Sequence, residues 1–219
     1  MTETAETYKT SLYAELAKLG KSLSSNRRLE LLDLLAQSPK SVETLAKQSG
    51  MSIANTSRHL QTLRDAHLVS RSKRGNYGIY QLASAQVEQL FYLLRDVGEN
   101  QLLAMKQIQR DFDAQERVQT LDLSAATKLI GRDDVQLLDV RPHDEFVNGH
   151  IDGAVNIPID ELRERLADLK ADQDVIVYCR GHLCALTNQA TRLLNEQGRH
   201  AYSLNESYYD WRAFVKARA

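Results

Sequence analysis

The hydrophobic pattern changes character near residue 117. Before it, apolar residues recur mostly at helical spacing. Leu12, Leu16 and Leu19 mark a first helix over residues 8–20, and Leu29, Leu32 and Leu35 a second over 26–36, broken by Gln37-Ser38-Pro39-Lys40. Ser41 is placed to cap a short helix, 42–48, with Val42, Leu45 and Ala46 inward. Gly50 supplies a turn, and Ser52 caps a further helix over 53–66 with Leu60 and Leu63 inward. Apolar positions then alternate in Leu68-Val69-Ser70 and Ile79-Tyr80-Gln81-Leu82, which reads as a hairpin with a tight turn at Gly75-Asn76. One long helix is predicted from 84 to 112, with Val87, Leu90, Phe91, Leu94, Val97, Leu102, Met105 and Ile108 as its stripe.

Residues 113–119 are polar, lack periodicity and read as a linker. Beyond them, strands are predicted at 135–140, 175–178 and 201–204, with helices at 124–131, 159–169 and 184–198. Strand alternating with helix implies an α/β domain with a mostly parallel sheet. The expected organisation is a mainly α domain over 1–115 and an α/β domain over 120–219.

The composition, 42% apolar and 26% charged over 219 residues, excludes a fibrous or wholly disordered chain. The apolar runs fall far short of the ~20 residues of a membrane helix, and residues 1–9 are polar. A cytoplasmic protein with no membrane partner is therefore expected. In a reducing compartment its two cysteines are expected to be reactive rather than bridged structurally. The net charge of −1 hides an asymmetry: 16 basic residues face 13 acidic ones up to Arg117, and 12 face 16 beyond it. Only the first half has the balance to meet nucleic acid.

A short helix, a glycine turn, a polar-capped helix and a basic hairpin suit DNA, with the second helix in the major groove and the hairpin on phosphates or in the minor groove. The candidate contact residues are Ser52, Asn55, Thr56, Ser57, Arg58, His59 and Gln61 on the helix, and Arg71, Lys73, Arg74 and Tyr77 on the hairpin. Their short or forked polar groups reach base edges and phosphates. The stretch 29–35, and 41–82 with Ser57-Arg58-His59-Leu60 and the wing ending Tyr80-Gln81-Leu82, resembles the ArsR/SmtB family of winged helix-turn-helix repressors. The resemblance implies double-stranded operator DNA as partner and a homodimer held by the first and last helices, here around 12–19 and 90–108. Metal-sensing members carry a cysteine pair in the helix before the turn. Here that helix reads Ser41-Val42-Glu43-Thr44-Leu45-Ala46, so neither a metal site nor a cofactor is expected.

Both cysteines fall in Cys179-Arg180-Gly181-His182-Leu183-Cys184, after a strand and before a helix. Inward N–H groups and the positive end of the helix are expected to lower the Cys179 pKa, making it a nucleophile, with Arg180 adding charge. A buried, inert cysteine is the alternative. Leu137-Leu138-Asp139-Val140-Arg141-Pro142, continuing through His150-Ile151-Asp152-Gly153-Ala154, together with Val175-Ile176-Val177-Tyr178-Cys179-Arg180, resembles the rhodanese signature. That resemblance implies Cys179 as sulfur acceptor, with Asp139, Arg141, His150 and Gly153 as scaffold. The loop departs from the family in placing Cys184 where many active members have arginine, which removes the usual contact to an anionic donor. A phosphatase-type loop would be longer and closed by arginine. Cys184 could instead attack a persulfide on Cys179 to give a disulfide or polysulfide bridge, or simply be a small residue at the helix start.

The two halves together point to a regulator, expected to be a repressor, whose operator binding responds to a small sulfur donor: thiosulfate, polysulfide or a persulfide. The alternative is a sulfurtransferase whose helical half dimerises or docks.

Overall fold

The computed structural model describes residues 4–75 and 77–218. The backbone forms two compact units that divide between Gly98 and Glu99.

The first unit opens with α1 (Ala5–Leu23) and α2 (Asn26–Gln37), followed by β1 (Lys40–Ser41), α3 (Val42–Ser49) and α4 (Ile53–Asp65). The Ser41 side chain accepts the Thr44 N–H and caps α3, which ends on Gly50 in the left-handed region at φ 65°. Ser52 caps α4 in the same manner through the Asn55 N–H. The two polar caps and the one glycine fix the tight turn between the helices. Leu31, Leu32, Leu45, Leu60 and Leu63 close the core beneath it. β2 (Val69–Arg74) and β3 (Tyr77–Leu82) form the predicted hairpin with Arg74 opposite Tyr77, and β1 adds a third, antiparallel strand against β3. Gly75 adopts φ 60°; Asn76, the other expected turn residue, lies outside the described residues.

The expected single helix over 84–112 is two helices. α5 (Ala85–Gln101) ends where Leu102 takes an extended conformation, and α6 (Leu103–Glu116) restarts and covers the first part of the expected linker, residues 113–116. Leu102 and Leu103 are both exposed, so no buried stripe holds the helix through this point. Asp113 and Glu116 are helical, and each has a partner further along the chain, Asn188 and Arg192.

That unit continues with β4 (Thr120–Leu121), α7 (Leu123–Leu129), β5 (Val135–Asp139), α8 (His143–Asn148), β6 (Val155–Asn156), β7 (Asp174–Tyr178), α9 (Leu186–Glu196), β8 (Ala201–Leu204) and α10 (Tyr208–Lys216). Its five strands are parallel in the order β4-β8-β7-β5-β6. Strand parity separates two cores: Val175 and Val177 face one side with Leu138, Ala190 and Leu194, while Ile176 and Tyr178 face the other with Ala126, Leu137 and Leu204.

The helix expected over 159–169 is replaced by two 3₁₀ turns, Ile159–Glu161 and Leu166–Asp168. Leu162 and Leu169 are buried within this segment. The carbonyls of Leu166, Leu169 and Lys170, however, accept from the Arg199 guanidinium at 2.8–3.3 Å, a long-range partner that substitutes for a helical ladder. Among the described residues no helix is long and apolar enough to cross a membrane.

Candidate functional site

On α4 the helical repeat sorts the candidate DNA contacts. Ser52, Ser57, Arg58 and Gln61 are exposed, and Asn55 and His59 are half-buried. Arg58 donates to Asn55 Oδ1 at 2.5 Å, which holds the two side chains together on the outer face. Thr56 departs from the expectation. It is fully buried, and its hydroxyl donates to the Ser52 carbonyl at 3.0 Å, so it braces the first turn of α4 from within. It lies four positions before Leu60, which puts both on the inner face. His59 is held below its ordinary pKa by partial burial and by the positive charges of Arg28, Arg58 and Arg27.

Arg71, Lys73, Arg74 and Tyr77 are all exposed on the hairpin. Arg71 folds back over the Tyr80 ring, 5.8 Å from its centroid, and against Gly78, where a Cβ would collide with the guanidinium. Lys73 and Arg74 extend the basic surface to the tip.

In the second unit, strand parity determines the fate of the first cysteine. Cys179 directly follows β7 and continues the series of Val175 and Val177 into the core against α9, where it is completely buried. The chain then turns through Gly181, at φ 96°. A Cβ there would meet the Ser207 nitrogen at 3.1 Å, so the loop needs glycine both for its conformation and for its approach to α10. The turn brings Cys184 Sγ to 2.9 Å from Cys179 Sγ, just before α9.

The charge balance within this pair is the reverse of the expected one. Burial pushes the Cys179 thiol well up. Cys184 is pulled down to about 6 by the hydrogen bond from Cys179, against its own burial. The Arg180 charge and the N–H groups of Leu186 and Arg180 act in the same direction. The loop amides thus serve the second sulfur, because the first lies below them in the sheet core.

Arg180 is itself fixed. It makes a two-pronged pair with the fully buried Glu145 of α8, Nε to Oε2 at 2.9 Å and Nη2 to Oε1 at 2.6 Å. Glu145 was not among the predicted site residues, although it lies within the stretch that carries the resemblance. Of the scaffold residues, Asp139 and Arg141 form a second buried pair, and Arg141 also donates to the Gly149 carbonyl at 2.8 Å. His150 Nδ1 meets the Phe146 carbonyl at 2.9 Å, and Gly153 turns the chain at φ 82°.

His182 and Leu183 stand on the outer rim of the loop and are exposed. Their side of the loop faces α6 across a cavity of about 320 Å³, whose walls include Ile108, Phe112, Asp113, Leu183 and Cys184. Two polar contacts tie α6 to the helix that begins after Cys184. Asn188 donates to Asp113 Oδ1 at 2.8 Å, and Arg192 Nη1 pairs with Glu116 Oε2 at 2.9 Å.

Comparison with known proteins matches residues 25–71 to the bacterial regulatory protein, arsR family, and residues 122–214 to the rhodanese-like domain. HTH-type transcriptional regulator Rv0324 of Mycobacterium tuberculosis is 37% identical over 209 residues, covering 93% of this chain and 90% of that one. Thiosulfate sulfurtransferase GlpE of Shewanella oneidensis is 32% identical over 77 residues, covering 35% of this chain and 75% of that one. Among solved structures, the homodimeric winged helix-turn-helix DNA-binding domain of Mb0332 from Mycobacterium bovis is 35% identical. It covers 47% of this chain and 94% of that one, at a TM-score of 0.44.

Proposed function

Since the chain belongs to the arsR family of bacterial transcriptional regulators and carries a rhodanese-like domain behind its helix-turn-helix, we propose that it is an operator-binding homodimer controlled by sulfane sulfur. In this reading residues 1–115 grip DNA and dimerise, and residues 120–219 sense. Two recognition helices read a palindromic operator through Ser57, Arg58, Asn55 and Gln61, with the wings on flanking phosphates. The exposed Leu12 and Leu16 of α1, and Leu93, Leu94 and Val97 of α5, supply the apolar surface that a second copy covers.

The observation that carries the sensing role is the 2.9 Å approach of the only two cysteines in the chain. A thiolate of the pair bonds to the terminal sulfur of a donor, and the rest of the donor leaves with the electron pair of the broken S–S bond. The neighbouring thiolate then displaces hydrosulfide from the resulting persulfide and leaves a disulfide. A longer polysulfide on the first cysteine would leave a bridging sulfur chain by the same displacement.

The route to DNA runs along the chain. Bridging the sulfurs alters the loop that starts α9; α9 holds α6 through Asn188–Asp113 and Arg192–Glu116; α6 follows α5 across the break at Leu102. The bridged and reduced forms then differ in the helical geometry they favour, which is the differential that control requires.

Gel-shift titrations test this with operator DNA, wild type and Cys179→Ser, each with and without inorganic polysulfide. Polysulfide is expected to change wild-type affinity and to leave the variant unchanged. Identical affinity in all four cases overturns the sensing role.

A further inference from the structure

We propose that sulfur enters through Cys184, not Cys179, and that the donor is a small organic persulfide whose uncharged carbon group occupies the cavity between the loop and α6. This rests on the sensing role proposed above and assigns its order of events. The two sulfurs differ in access. Cys179 is wholly enclosed by the core under α9, whereas Cys184 is half-buried and forms part of the cavity wall. A donor that reaches the pair from this side therefore meets Cys184 first.

The cavity also discriminates among donors. Ile108, Phe112 and Leu183 give it apolar walls, and Asp113 is its carboxylate, accepting from Asn188. Of the ionisable side chains in the wall, only His182 can carry positive charge, and it is paired with Glu99 at 3.4 Å and Glu206 at 3.7 Å. The nearby Arg180 is taken by Glu145. A thiosulfate dianion finds no unpaired cation here and faces a carboxylate; an apolar group finds matching walls.

Two steps follow. The Cys184 thiolate attacks the outer sulfur of R–S–SH, forming Cys184–S–SH as R–S⁻ leaves with the electrons of the old S–S bond. Cys179, deprotonated as R–S⁻ takes up its proton, attacks the Cys184 sulfur and expels HS⁻. The net change reduces R–S–SH to R–SH and sulfide while two thiols are oxidised to one disulfide.

The test treats full-length reduced protein with benzyl persulfide, inorganic polysulfide or thiosulfate, quenches it with an alkylating agent and maps the peptides by mass. In wild type, the earliest trapped adduct is expected to be one sulfur on Cys184, giving way to the Cys179–Cys184 disulfide. Cys179→Ser should hold the adduct on Cys184, and Cys184→Ser should load at least about tenfold more slowly. Benzyl persulfide should react faster than thiosulfate. An early adduct on Cys179 in wild type, or Cys184→Ser loading at the wild-type rate, overturns the assigned order and leaves the sensing role standing. Thiosulfate reacting faster overturns the donor assignment. No sulfur on either cysteine from any donor overturns the order and the sensing role together. The wild-type trapping experiment does not depend on either variant folding.

Discussion

Cys179 Sγ lies 2.9 Å from Cys184 Sγ, with the first sulfur enclosed in the sheet core and the second at the start of α9. The hydrogen bond from Cys179 and the nearby Arg180 charge favour ionisation of Cys184. Alkylation of Cys184 in the reduced protein should therefore rise with pH through an inflection near 6, while Cys179 stays protected. Removing the donor in Cys179→Ala should move the inflection up toward an ordinary thiol, about 8.5. Peptide-resolved iodoacetamide rates between about pH 5 and 9 check both outcomes.

Glu145→Gln leaves the largely buried Arg180 guanidinium without its carboxylate partner. Stripping one partner from such a pair costs about 3 kcal/mol. Denaturant unfolding of the reduced protein should show the loss in the transition of the second unit. The first unit should melt as before.

The burial of Thr56 separates stability from DNA contact on a single helix. Thr56→Val keeps the shape but loses the hydroxyl bond to Ser52, so stability should fall by about 1 kcal/mol with operator affinity of the folded protein unchanged. Arg58→Ala should do the opposite, leaving the melt in place and weakening operator binding by about 1 kcal/mol. Paired thermal melts and gel shifts read both effects.

On the hairpin, Lys73→Ala and Arg74→Ala should weaken binding to operator and to unrelated duplex alike. Each should reduce the slope of log affinity against log salt by about 1 if its charge meets a phosphate. Fluorescence anisotropy at several salt concentrations provides the measurement.

His59 makes the first unit sensitive to pH. Its folded-state pKa is lowered, chiefly by burial and then by Arg28, Arg58 and Arg27. The unfolded chain therefore binds more protons than the folded one between the two values, so stability rises as pH increases through the ordinary histidine range and falls as the solution becomes more acidic. Urea unfolding at about pH 5.5 and 7.5 should show this difference, and His59→Gln should diminish it.

Much of the architecture is legible along the chain because its signals are local. The caps at Ser41 and Ser52, the glycine at position 50 and the leucine spacing of α2 and α4 each act within a few residues, and all lie where the pattern puts them. The break at Leu102 and the 3₁₀ turns in place of a helix at 159–169 are not local. The second depends on carbonyls meeting Arg199, about thirty residues further along the chain. At the candidate site, the loop and both cysteines are visible in the order of residues, and Thr56 could have been placed inward from its spacing to Leu60. Strand parity from Val175 and Val177 likewise carries a signal that Cys179 points into the core.

The sequence by itself determined two modules, their order, the capped helix pair, the basic hairpin and the two thiols five positions apart, since each rests on periodicity or on neighbours in the chain. Only the tertiary structure decided which thiol ionises more readily, that Glu145 occupies Arg180, and that α6 faces the sulfur loop. Those outcomes depend on burial and on partners distant along the chain, and the local order of residues encodes neither.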